Sequence, residues 1–119
     1  MAKLVEMGTA VLQTGCRPEV LTVYRLAIAE SDRAPEIAHG IHANEEAIRR
    51  ALADLLAQAH ELGLVRASDP SVLAARFFMV LWDDMLVRLL MRVCAPPTAE
   101  QIKARSQAAA AAILEPGRR

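Results

Sequence analysis

Residues 69–93 read DPSVLAARFFMVLWDDMLVRLLMRV, and their pattern decides the fold. Asp69 is a good helix N-cap, and Pro70 fits the first helical position, where its missing N–H has no partner to lose. From there apolar residues recur at helical spacing as far as Val93. Placed 100° apart, Ala75, Phe78, Trp82, Met85, Leu86, Leu89 and Val93 gather on one face. Leu73, Phe77, Val80, Val87 and Met91 gather on the opposite face, with Asp84 and Arg88 beside them. A helix apolar on two sides must be covered on two sides. Either its own chain wraps it as a central helix, or a second copy covers one face. The reading favours a second copy, because a chain this short has few helices with which to encircle one. The expected two-fold dimer uses Leu73, Phe77, Val80, Asp84, Val87 and Met91, with Ile102, Ala109 and Ile113 of the closing helix. The last two helices of each copy would then form an intersubunit four-helix bundle. Each large apolar side chain so covered gains about 1.5–3 kcal/mol before association costs.

Outward from this stretch, proline and glycine divide the chain into five segments, each with a helical pattern. The first covers about residues 3–13, with Leu4, Met7, Val11 and Leu12 on one side. The second covers about residues 18–31 and opens on Pro18. The third, about residues 35–62, repeats Ile37, Ile41, Ile48, Leu52, Leu55, Ala59 and Leu62 at steps of three, four or seven. Its outer face pairs Glu45 with Arg49 and Glu46 with Arg50 at i, i+4. Gly63 is a natural stop. The fourth is the stretch quoted above. The fifth opens on Thr98 and Gln101, the capping-box spacing, and runs to Ile113 before Glu115-Pro116-Gly117 ends it. The final residues, 117–119, are expected to fray.

Composition agrees with an all-α fold of five helices in one domain, residues 1–119. Aromatics make up only 3% of the 119 residues, so Leu, Ile, Val, Met and Ala must fill the core. The 14 basic and 14 acidic side chains cancel, leaving no excess of cations to displace counterions from a duplex. The uninterrupted apolar run of large side chains at residues 77–82 is far short of the roughly 18 residues of a membrane span. The start, Met1-Ala2-Lys3, has no leader pattern. Cys16 and Cys94 lie far apart with no CxxC or zinc-type spacing, which reads as two reduced thiols in a cytoplasmic protein.

Three stretches resemble the C-terminal domain of TetR-family transcriptional repressors of the AefR-like kind. They are Tyr24-Arg25-Leu26-Ala27-Ile28-Ala29-Glu30 with Pro35-Glu36-Ile37, then Gly63-Leu64-Val65-Arg66-Ala67-Ser68-Asp69-Pro70 with Ala74 and Phe77, and Pro96-Pro97-Thr98 before the closing helix. The resemblance implies dimerisation through the last two helices and a pocket for a small effector among the earlier ones. It also implies DNA contact only through an N-terminal helix-turn-helix head, which nothing in this chain matches. The competing possibility is a stand-alone dimeric helical interaction module that pairs with a full-length regulator.

An apolar or aromatic effector would be walled by Met7, Tyr24, Ile28, Ile41, Phe78, Trp82 and Met85, with Tyr24 and His42 as polar anchors. The plainer use of such a stripe is core packing. His39 and His42 with Glu46 make a poor metal site, lacking a further ligand in reach, and no metal or other cofactor is expected. Asp83 and Asp84 point about 100° apart, wrong for a catalytic carboxylate pair, and Asp84 is better placed to meet Arg88. No nucleophile elbow, phosphate loop or zinc-protease motif is present, so no enzyme activity is expected.

Overall fold

Most of the helices begin where the chain offers a proline or a capping side chain. A computed structural model describes residues 2–63 and 69–114. It has α1 (Ala2–Gly15), α2 (Pro18–Ala29), α3 (Pro35–Glu61), α4 (Pro70–Trp82), α5 (Met85–Leu90) and α6 (Ala99–Ile113), and no strand among the described residues. Pro18, Pro35 and Pro70 each open a helix. The Asp69 carboxylate accepts from the Ser71 N–H at 2.9 Å, as an N-cap should. Thr98 and Gln101 close a full capping box, with bonds of 2.8 and 3.1 Å. Gly63 stops α3 at φ +78°, a conformation that favours glycine. Residues 64–68 of the family-like stretch, the stop at Glu115–Gly117 and the expected fraying of 117–119 lie outside the described residues.

The long fourth helix is two helices, so six are present rather than five. Asp83 turns to φ 50°, ψ −128°, which ends α4, and α5 restarts after Asp84. Two adjacent aspartates are weak helix formers, and their side chains compete for backbone partners. Asp84 then meets Arg88 at 3.1 Å, the i, i+4 pair the sequence suggested. A non-glycine residue at this φ costs about 1–3 kcal/mol. Replacing Asp83 with glycine is expected to stabilise the domain by about 0.5–1 kcal/mol in urea unfolding. A loss of stability would show that the Asp83 side chain itself holds the turn. Arg92, at φ 62°, ends α5 in a Schellman arrangement, with Val93 N–H on Arg88 O and Arg92 N–H on Leu89 O.

The kink is accompanied by a second correction. On α4 the buried residues are Leu73, Ala74, Phe77, Phe78 and Leu81. They form one continuous arc of about 140° with Ala74 and Leu81 in its middle. Leu73 with Phe77, and Phe78, are therefore flanks of one face rather than opposite sides. The chain itself covers that arc. α4 lies between α3 and α6 and also touches α1, and α1 packs along α6. Phe77 is 1% exposed and Leu73 6%. Ile102, Ala109 and Ile113 of α6 are buried in the same cluster. These five residues are core, not an intersubunit surface. Val80 is half-buried against the core, while Asp84, Val87 and Met91 stay on the surface.

Close approach of α1 to its neighbours depends on Gly8. A Cβ there would come within 3.0 Å of Phe77 Cζ, 3.1 Å of Leu81 Cδ1 and 3.1 Å of Ser106 Oγ. Ser106 is fully buried and returns its hydroxyl to Ile102 O, while Thr9 donates to it across the crossing.

Candidate functional site

A cleft of about 320 Å³ opens between α2 and α3. Tyr24, Ala27 and Ile28 of α2, Ser31 of the turn after it, and Ala38 and Ile41 of α3 line it. Buried Ala27 floors it, and Ile28, 63% exposed, stands as an uncovered apolar wall. Three of the expected ligand residues, Tyr24, Ile28 and Ile41, are thus brought together.

The other five are not. His42 lies outside the lining with its side chain 69% exposed, and its Nε2 is 4.0 Å from Glu46 Oε2. Met7 faces a different groove, between α1 and α3, with Lys3, Glu6, Leu55 and Gln58. Phe78 is buried, with the Arg49 guanidinium 5.4 Å from its ring centre. The six-membered ring of Trp82 lies against Gly15, so close that a Cβ there would come within 2.7 Å of it. Met85 is in the core. Helix α4 faces α3 and α6, not the α2–α3 cleft, so its aromatic side chains go to packing.

Near the Tyr24 end of the cleft the ion pairs differ from the i, i+4 expectation. Arg49 meets Glu46 at 3.2 Å, not Glu45. Glu45 instead accepts the Tyr24 hydroxyl at 2.6 Å. Burial, together with this hydrogen bond and the nearby carboxylate charge, pushes the Tyr24 phenol well above its ordinary value, so the hydroxyl keeps its proton. The signal for this contact was available: Ala38, Ile41 and Glu45 fall on one stripe of α3 at steps of three and four.

Arg25, also on α2, has a role with no local sequence signal. Its Nε donates to Leu90 O and its Nη2 to Leu89 O, both at 3.0 Å, and so clasps the C-terminus of α5. Arg105 of α6 likewise donates to Leu81 O near the end of α4. Cys16 is buried, which raises its thiol pKa; both it and Cys94 are free thiols. No group of three or more metal-ligating side chains occurs among the described residues, and none of their helices is long and apolar enough to cross a membrane.

The described residues thus form a layered bundle of helices around one core, with a side cleft between two of them. Residues 2–115 match the family described as AefR-like transcriptional repressor, C-terminal domain, and the chain belongs to that family. No curated protein and no solved structure is significantly similar to it.

Proposed function

We propose that this chain is the effector-sensing and dimerisation domain of a TetR-type repressor, with the α2–α3 cleft as the effector site. The observation that carries this reading is the cleft itself: an apolar trough with a phenolic hydroxyl at one end, in a chain of the repressor family. An effector seated there touches α2, and α2 holds α5 through Arg25. Movement of α2 is therefore expected to reach α5.

The dimer uses a face other than the one the sequence favoured. On α4, Val72, Ala75 and Met79 point away from the core at i, i+3 and i+7, and Met79 is 72% exposed. On the adjacent α6, Ala104, Ala108 and Ala111 are likewise exposed, and small side chains let a facing helix come close. The protein is 21 Å across its thinnest dimension, about two helix diameters, so helices in either layer retain an outer side.

The effector half is tested by thermal-shift screening of small apolar compounds against the parent protein and Ala38→Trp. The parent is expected to show upward shifts with some of them. Ala38→Trp puts an indole into the trough and is expected to abolish those shifts while folding normally. Shifts that persist in Ala38→Trp, or none in the parent, would remove the cleft as the effector site.

A further inference from the structure

Along the cleft the two helices offer different chemistry at each end. Tyr24 lies on α2, and Ser31, seven residues on, in the turn that follows it. Between them the lining is aliphatic: Ala27, Ile28, Ala38 and Ile41. At the Ser31 end the polar group is a neutral hydroxyl. Of the charged side chains beside it, Glu30 and Arg33 pair with each other at 2.7 Å, and Asp32 is exposed to solvent.

The Tyr24 end is different. The single phenolic proton is already donated to Glu45, so the tyrosine oxygen presents only lone pairs to anything in the cleft. Glu45 offers only acceptors as well. Its hydrogen bond from Tyr24 is neutral in charge, and it makes no ion pair among the described residues; the neighbouring Arg49 is engaged by Glu46. One end of the aliphatic trough is thus a lining tyrosine whose oxygen offers lone pairs, hydrogen-bonded to the Glu45 carboxylate, which itself lies just outside the lining. Such a site rejects a head group that only accepts, and it repels a second anion. It suits a head with N–H donors and a positive charge, because charge-assisted hydrogen bonds are the stronger kind.

We propose that the α2–α3 cleft takes an amphiphile with an alkylammonium head, seated beside Glu45 and Tyr24, and an aliphatic tail laid along Ile28, Ala38 and Ile41. This rests on the reading of the cleft as the effector site. Octylammonium, octan-1-ol and octanoate share one tail and differ in the head, so calorimetric titration of each separates the two claims. Octylammonium is expected to bind at least about tenfold more tightly than octan-1-ol, the step contributed by one charge-assisted contact. Octanoate is expected not to bind. Glu45→Gln keeps the size and the carbonyl acceptor but removes the charge; it should bring octylammonium down to the level of octan-1-ol and leave octan-1-ol unchanged. Tyr24→Phe, checked by circular dichroism for an intact fold, should also weaken octylammonium, since it frees Glu45 to turn away. Equal binding of the alcohol and the ammonium, or an unchanged ammonium affinity in Glu45→Gln, overturns the head-group assignment and leaves the effector site standing. If none of the three probes binds, both claims fall together.

Discussion

Phe77→Ala is expected to destabilise the domain by about 3–5 kcal/mol, enough to leave much of the protein unfolded at ordinary temperature. Phe77 is the largest fully buried side chain among the described residues. Its ring meets Phe78 edge to face at 6.4 Å and lies opposite Gly8 of α1. Truncation removes the transfer energy of the ring and leaves a void where three helices converge. The neighbours cannot close it cheaply, because Leu81, Ala109 and Ser106 are themselves fully enclosed. Urea unfolding at several protein concentrations checks both size and origin. A loss independent of concentration is the expected outcome, since the ring is buried by its own chain. A loss that vanishes at high concentration would place Phe77 at a subunit contact instead.

Met79→Asp should do the converse: separate the subunits and leave the fold intact. Met79 is 72% exposed in the single chain, and a carboxylate there stays solvated. In a two-fold dimer the same position is buried twice, once in each copy, and each unpaired charge is costly to desolvate. The parent is expected to sediment as a dimer and Met79→Asp as a monomer with unchanged helical circular dichroism. A dimer that survives the substitution would move the interface elsewhere, to the exposed Val87 and Met91 on α5 for instance. A parent that sediments as a monomer would end the dimer proposal.

The two variants separate roles that the sequence had merged. On a helical wheel Leu73, Phe77, Val80, Val87 and Met91 fall together only if the helix continues unbroken from Pro70 to Val93. The turn at Asp83 ends that register, and Val87 and Met91 belong to a different helix from Phe77. The wheel also left out Ala74 and Leu81, which join the two supposed faces into one. Breadth of an apolar arc is legible from sequence; whether a partner or the chain's own helices cover it is not. The cleft shows the same limit. Tyr24, Ile28 and Ile41 were identifiable from two adjacent amphipathic segments joined by a short turn. Phe78, Trp82 and Met85 were drawn in by residue type, and their actual neighbours, Arg49, Gly15 and the core, come from distant parts of the chain.

What the sequence alone determined is local. Pro18, Pro35 and Pro70 fix helix starts, Asp69 and Thr98 cap two of them, and Gly63 stops a third, each through interactions within a few residues. Leu- and Ala-rich composition with few aromatics then makes the fold all-helical. What only the tertiary structure decided is which groups meet across the chain: Tyr24 with Glu45, Arg25 with the end of α5, Gly8 with Phe77 and Ser106. Those contacts depend on the angles at which whole helices cross, and crossing angles are set by the packing of many side chains at once.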